Sequence, residues 1–285
     1  MENIVIILGC TASGKTSFAI EYAKEHNAEI ISADSMQVYK GMDIGTAKPS
    51  LNDRAGILHY LVDIRNPDEE WTLSDFIRET QIAIITIQNK GKIPVIAGGT
   101  GLYLRALVNG FSLPIIKADR EIREKLEKED SARLHEKLLA IDPTAAEKIH
   151  PNDKKRIIRA LEVYELTGSP ISKLQKKGAG IIGSNFQIIG LNLPREKLYS
   201  RIEARVDNML KAGLVDEVKT LLEKGYSKNL PSLLALGYKE VIDFLDDKYS
   251  FEEMAVLLKK KTRHFARRQM TWFRRFDRVS WITVS

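Results

Sequence analysis

The sequence predicts an α/β fold in which a parallel-sheet core is interrupted by an all-helical insertion. Three observations carry this reading. An apolar run, Ile4 to Leu8, leads straight into the glycine-rich stretch Gly9-Cys10-Thr11-Ala12-Ser13-Gly14-Lys15-Thr16, which a helix-period segment follows. Further short apolar runs alternate with helical segments, the pattern of strands buried on both faces. From about Lys117 the strand signals stop and charged, helix-period segments take over until a glycine-rich stretch ends them. The G-x-x-x-x-G-K-[ST] loop between strand and helix makes the core P-loop NTPase-like. The expected boundaries are 1–116 with 184–285 for the discontinuous core and 117–183 for the insertion.

Taken in order, "NIVIIL" (3–8) is a buried strand, and a helix runs from about Lys15 to His26 with Phe18, Ala19, Tyr22 and Ala23 on its apolar side. "AEIISAD" is a strand ending at Asp34, and "LHYLVDI" (58–64) and "KIPVIAGG" (92–99) read as two more. Between the last two, "TLSDFIRETQIAIITIQNKG" has a Thr72-x-x-Asp75 capping signal and a closing Gly91, so it is a helix. In "AGGTGLYLRAL" the strand ends at Gly98-Gly99-Thr100 and another helix begins.

The insertion reads as four helical segments, "DREIREKLEKED", "SARLHEKLLAI", "DPTAAEKI" and "NDKKRIIRALEVYELTG". "KKGAGIIGSN" (176–185) is a hinge, and "FQIIGLNLP" (186–194) resumes the strands with a proline stop. A long helix over about 251–276 follows, with Phe251, Met254, Leu258, Phe265, Trp272 and Phe276 at helical spacing, and "RVSWITVS" is a final strand. There is no internal repeat and no low-complexity tract.

Composition narrows the function. The 285 residues (32.2 kDa) are 44% hydrophobic and 29% charged, enough for a large core and a smaller satellite. No apolar run approaches a membrane span and no basic leader precedes "IVIIL", so a soluble cytoplasmic protein is expected. The single Cys10 excludes an internal disulfide, and the five histidines show no paired metal-ligand spacing. A net charge of +6 and a pI near 9.2 permit an anionic partner such as RNA without requiring one.

The loop is a phosphate site. Its glycines let backbone N–H groups converge, the helix N-terminus adds positive potential, Lys15 neutralises phosphate oxygens and Thr16 is the Mg²⁺ ligand. Cys10 occupies an x position and reads as a tolerated side chain there; the alternative is a functional thiol whose pKa the helix N-terminus lowers. Asp34, at a strand end after the loop helix, is either a structural cap or a base. The neighbouring Ser35 and Gln37 offer groups suited to reading a base edge. No Walker-B carboxylate follows Gly98-Gly99-Thr100, and Asp63, the acid on a neighbouring strand, reads as structural. Two basic clusters stand out. One is Lys154, Lys155, Arg156 and Arg159; the other is the helix containing Lys260, Arg263, Arg267 and Arg274, where Phe265, Trp272, Phe273 and Phe276 are mostly core.

In order along nearly the whole chain, "GCTASGKT", "SADSMQVYKGMDIGTAKP", "AGGTGLYLRAL", "RIIRALEVYELTG", "RVDNMLKAGLVDEV", "ALGYKE" and "TRHFARRQMTWFRR" resemble the motifs of bacterial tRNA dimethylallyltransferases, also called tRNA isopentenyltransferases. The loop is shared by many proteins, whereas "DSMQVYKGMDIGTAKP" and "RQMTWFRR" are highly specific. The resemblance implies transfer of a dimethylallyl group from dimethylallyl diphosphate to N6 of the adenosine 3′ of the anticodon, with diphosphate released. It places the general base on Asp34, diphosphate binding on Lys15 and Arg205, the metal ligand on Thr16 and a transition-state contact on Thr100. Contacts to the tRNA anticodon stem-loop fall on Asp34, Ser35, Met36, Gln37 and Thr100, on Arg123, on Lys155, Arg156, Ile157, Ile158 and Arg159, and on Gly237, Tyr238 and Lys239. A monomer using Mg²⁺ is implied. Cys10 replaces the family's usual proline, which bears on loop rigidity and oxidation. Two other readings share some of these features, a small-molecule P-loop kinase and a non-catalytic RNA-binding protein.

Overall fold

A computed structural model of the chain describes residues 4–110, 116, 119–174 and 185–284. The chain divides into two compact units, Met1–Val108 with Ile182–Ser285, and Asn109–Ile181.

The first unit opens with β1 (Ile4–Gly9), buried throughout, followed by the phosphate loop and α1 (Lys15–Glu25). β2 (Ala28–Ser32) and the short β3 (His59–Tyr60) precede α2 (Leu73–Asn89). The Thr72 hydroxyl accepts from the Asp75 N–H and the Asp75 carboxylate accepts from the Thr72 N–H, closing the capping box that the sequence signalled. β4 (Ile93–Gly98) and α3 (Gly101–Asn109) complete this part.

Four helices of the second unit follow the expected segments: α4 (Arg120–Glu127), α5 (Ser131–Ile141), α6 (Pro143–Lys148) and α7 (Lys154–Thr167). Asp119, Asp130, Asp142 and Asp153 cap them in turn, each carboxylate accepting a first-turn N–H. The short α8 (Ile171–Leu174) ends the described part, so all but Asn185 of the expected hinge lies outside the described residues. Leu126, Leu134, Leu138, Ile157, Leu161 and Val163 form the apolar centre of this unit.

The first unit then resumes with β5 (Phe186–Asn192), α9 (Arg195–Lys211), α10 (Leu214–Glu223), α11 (Tyr238–Leu245), α12 (Phe251–Phe273) and β6 (Val279–Thr283). Among the described residues no helix is long and apolar enough to cross a membrane. The six strands form one parallel sheet in the order β3-β2-β4-β1-β5-β6.

Two strands are shorter than the sequence indicates. Leu61 (φ +62°) and Asp63 (φ +58°) adopt left-handed backbone, so "LHYLVDI" leaves the sheet after Tyr60. β2 stops at Ser32 because Asp34 turns the chain: its Oδ1 accepts the Met36 N–H at 2.9 Å and the Gln37 N–H at 3.4 Å. The core stripe of α12 also differs from the expected one. Met254, Leu258, Thr262, Ala266, Gln269 and Phe273 are its buried residues, whereas Phe251 and Phe265 are exposed.

In the helical unit, Glu162 on α7 is fully buried and accepts from Arg123 Nε at 2.8 Å and Arg159 Nη1 at 2.6 Å. Burial raises its pKa, but the hydrogen bonds from the two arginines and the Asp119 N–H outweigh burial and hold the carboxyl below its usual value. A lowered carboxyl pKa contributes stability that is complete above the unfolded value, about 4.3, and is lost as pH falls through the folded value. Protection of the α7 amides from exchange, taken relative to the intrinsic rate at each pH, should therefore fall on acidification below about pH 4.3, and Glu162→Gln should flatten that dependence. An identical acid slope in the variant would contradict this assignment.

Candidate active site

Sheet order explains how distant segments meet. β4 lies between β2 and β1, and β5 lies on the other side of β1, so the carboxyl ends of four strands stand side by side. From them emerge the Asp34 turn, Gly98-Gly99-Thr100, the phosphate loop and, through α9, Arg205. Open parallel sheets place ligands in such a crevice. At Gly98 the strands approach so closely that an added Cβ would lie 2.2 Å from the Ala33 carbonyl oxygen, so only glycine fits.

Here a cavity of about 280 Å³ is lined by Thr11, Lys15, Thr16, Asp34, Ser35, Met36, Gln37, Thr100, Arg205, Gly237, Tyr238 and Gln269. Val206, Met209, Leu236, Leu258 and Phe265 give it an apolar wall. Phe265, expected in the core, thus serves the cavity: α12 turns it off the buried stripe and leaves it 36% exposed.

The loop turns into α1 at Gly14, whose φ of +85° favours glycine. Burial lowers the pKa of Lys15; the Asp34 charge opposes that shift and Arg205 adds to it. Arg205 is shifted the same way by burial, again opposed by Asp34. Two desolvated cations therefore face one carboxylate, an arrangement that an anion would relieve. Arg201 stands close to the loop as well, its Nη1 being 3.8 Å from where a Gly14 Cβ would be. Cys10 is 2% exposed and burial pushes its thiol pKa up, against Lys15. Burial outweighs the helix N-terminus, in keeping with a tolerated side chain and against a functional thiol.

Asp34 and Thr100 share a network. The Ser35 N–H donates to Thr100 Oγ1 at 3.1 Å, next to the two N–H bonds that orient Asp34. Gln37 is held at both ends, Oε1 accepting from the Ser32 hydroxyl at 3.1 Å and Nε2 donating to the Thr46 carbonyl at 3.4 Å. Arg205 Nη2 reaches the same Thr46 oxygen at 3.5 Å.

Two positioning groups escaped the sequence reading. Gln269 on α12 joins the phosphate loop to the end of β4. Glu217 on α10 accepts three successive backbone N–H groups, from Asp43 (2.9 Å), Ile44 (2.7 Å) and Gly45 (3.1 Å), and the Tyr238 hydroxyl at 2.6 Å. Both lie in motifs already conspicuous in the sequence, "RQMTWFRR" and "RVDNMLKAGLVDEV", but no spacing rule tells which backbone group a side chain will find.

Several of the residues expected to contact RNA also have structural partners within the protein. Tyr238 is fully buried and serves Glu217, and Lys239 pairs with Asp243 at 2.6 Å. Within the helical unit, Ile157 (0% exposed) and Ile158 (5%) belong to the apolar centre, so their side chains are not available to a nucleic acid. Arg123 and Arg159 are committed to Glu162, while Lys155 and Arg156 are exposed. Asp63 pairs with Lys48 and Arg54, as its structural reading required.

Comparison with known proteins agrees with this geometry. Residues 37–276 match the family model described as IPP transferase. The chain is 50% identical to the tRNA dimethylallyltransferase of Acetivibrio thermocellus over 287 residues, covering 99% of this chain and 92% of that protein. It is 49% identical to the Thermotoga maritima tRNA dimethylallyltransferase, with 99% and 93% covered. Among solved structures, the full-length tRNA isopentenylpyrophosphate transferase of Bacillus halodurans superimposes with a TM-score of 0.74 at 43% identity, covering 99% of this chain and 90% of that one. A eukaryotic dimethylallyltransferase acting on tRNA gives 0.84 at 31% identity, with 99% and 74% covered. By its residues, its fold and these likenesses, the chain belongs to the IPP transferase family of tRNA dimethylallyltransferases.

Proposed function

We propose that this chain transfers a dimethylallyl group from dimethylallyl diphosphate to N6 of the adenosine 3′-adjacent to the tRNA anticodon, position 37. The observation that carries this reading is one cavity in which Lys15 and Arg205 face Asp34 and Thr100 beside an apolar wall. A diphosphate ester with a short branched tail has this distribution of charge and grease.

The N6 lone pair attacks C1, the C1–O bond breaks with its electrons passing to the departing diphosphate, and the N6 proton moves to the Asp34 carboxylate. The bonds from Met36 and Gln37 N–H groups fix the carboxylate's direction before substrate arrives. Lys15 and Arg205 are poised to receive the negative charge that grows on the leaving group, in surroundings that strengthen the attraction. Thr100, whose hydroxyl already accepts from Ser35, can turn its own proton toward the bridging oxygen.

Mg²⁺ suits the donor set. Thr16 lines the same cavity, and among the described residues no group of three or more His, Cys, Asp or Glu side chains forms a separate cation cage. A hard cation held by one hydroxyl and substrate phosphate oxygens fits that pattern. When bound, it neutralises charge on the diphosphate.

The adenosine has to leave its stack to enter the crevice. Ser35, Met36 and Gln37 line the way in, and the exposed Lys155 and Arg156 supply charge for the RNA backbone. On this reading the enzyme acts as a monomer in the cytoplasm, where tRNA is found. The kinase alternative has less support, because the strand beside β1 ends in Gly98-Gly99-Thr100 with no acid and Asp63 is tied to Lys48 and Arg54.

Incubation with unmodified tRNA, Mg²⁺ and either dimethylallyl diphosphate or ATP, followed by nucleoside analysis, tests the reading. N6-prenylated adenosine is expected from the former alone; phosphoryl transfer from ATP would overturn it. Asp34→Ala should lower kcat by roughly 10²–10⁴-fold while tRNA affinity holds, the usual effect of removing a general base. Full activity in that variant would remove Asp34 from the mechanism. Glu217→Gln should raise the KM for tRNA about tenfold, since a lost charge-assisted bond is worth about 1.5 kcal/mol and the loop it holds carries the Gln37 acceptor. An unchanged KM would show that the loop holds itself.

A further inference from the structure

The β1–β4 ladder runs in register from Val5 with Val95 to Leu8 with Gly98 and then stops, because the strands part to open the cavity. Just beyond the last pair, the carboxamide of Gln269 fills the gap. Its Oε1 accepts the Thr11 N–H at 2.8 Å and its Nε2 donates to the Gly99 carbonyl at 2.9 Å. The side chain is 6% exposed, and a Cβ at Gly99 would lie 2.4 Å from its Nε2, so glycine is needed for the amide to enter.

A primary carboxamide carries the same donor and acceptor as a backbone peptide. We infer that Gln269 is a positioning residue for the transfer reaction. Its amide acts as a surrogate peptide group that continues the sheet for one more rung and fixes the spacing between the phosphate loop and Gly99-Thr100. It touches no reacting atom. Its effect passes through Thr11 on one side and Gly99 on the other, and so governs where the leaving diphosphate sits relative to Thr100. The kinetic part of this inference rests on the prenyl-transfer reading; the structural part does not.

Two near-isosteric variants separate hydrogen bonding from packing. Gln269→Met keeps the length and loses both bonds. Gln269→Glu keeps the acceptor but, when ionised, sets an oxygen against the Gly99 carbonyl; when protonated it again offers one donor and one acceptor. The titratable groups around it are Lys15, Asp34 and Arg205 across the cavity and Cys10 beside Thr11, so each rate is taken relative to the parent enzyme at the same pH.

For Gln269→Met, kcat should fall at least tenfold with the KM for tRNA and for dimethylallyl diphosphate changed less than threefold. Exchange of the Thr11 amide, followed by NMR, should accelerate at least tenfold. Gln269→Glu should match the Met variant at pH 8.5 and regain at least fivefold relative activity by pH 5.5. A Met variant within twofold of the parent in kcat, or a Glu variant whose relative activity is flat across that range, overturns the inference. If the Met variant does not fold, the pH profile of the Glu variant decides alone. A parent protein that fails to transfer a prenyl group sinks the functional reading instead, and Thr11 exchange then decides whether Gln269 is the strut.

Discussion

Lys15 and Arg205 are held out of water in the lining of one cavity, with Asp34 as the carboxylate that offsets them, and the rest of the site is arranged around that imbalance. Placing two cations in a poorly solvated space is unfavourable unless an anion joins them or the scaffold leaves them no alternative. The scaffold here is the sheet. Lys15 opens α1 directly after β1, and Arg205 projects from α9 directly after β5, strands paired over six residues each. Both cations thus hang from elements anchored at the centre of the sheet, where a polyanionic ligand would offset their charge.

The other wall is held from behind. The stretch from Asp43 to Ala47 has no regular structure, yet its backbone N–H groups converge on Glu217 and its carbonyls meet Gln37 and Arg205. Tyr238 braces the same carboxylate, and its ring packs so near Gly45 that an added Cβ would lie 2.4 Å from it. A loop fixed in this way is ordered by side-chain acceptors in place of a ladder, which satisfies its backbone and leaves the cavity face open.

How much of this was legible in the sequence follows from which forces are local. Period, capping and the glycine-rich loop are written over a few residues, so β1, α1, α2 and α4 to α7 fall where the pattern puts them. Asp34, Thr100 and Arg205 were reachable through strand ends and family motifs. The shortened β3 was not, because left-handed backbone at Leu61 and Asp63 is imposed by tertiary contacts such as the Lys48 pair. Ile157 and Ile158 were placed at an RNA surface because they stand inside a basic motif, yet helical spacing turns them inward while their neighbours face out. Phe265 erred in the other direction: hydrophobicity signals burial but does not say whether the apolar surroundings are a core or a binding cavity.

The bond from Thr11 to Gln269 spans 258 residues, and the Lys15 region waits as long for the helix that closes over it. Synthesis proceeds from the N-terminus, so the phosphate loop emerges from the ribosome long before α12 exists to brace it. During that interval the nascent chain presents an open, basic, glycine-rich loop amid RNA and nucleotides. Competence for chemistry thus waits on the synthesis of α12, more than two hundred residues after the loop it braces.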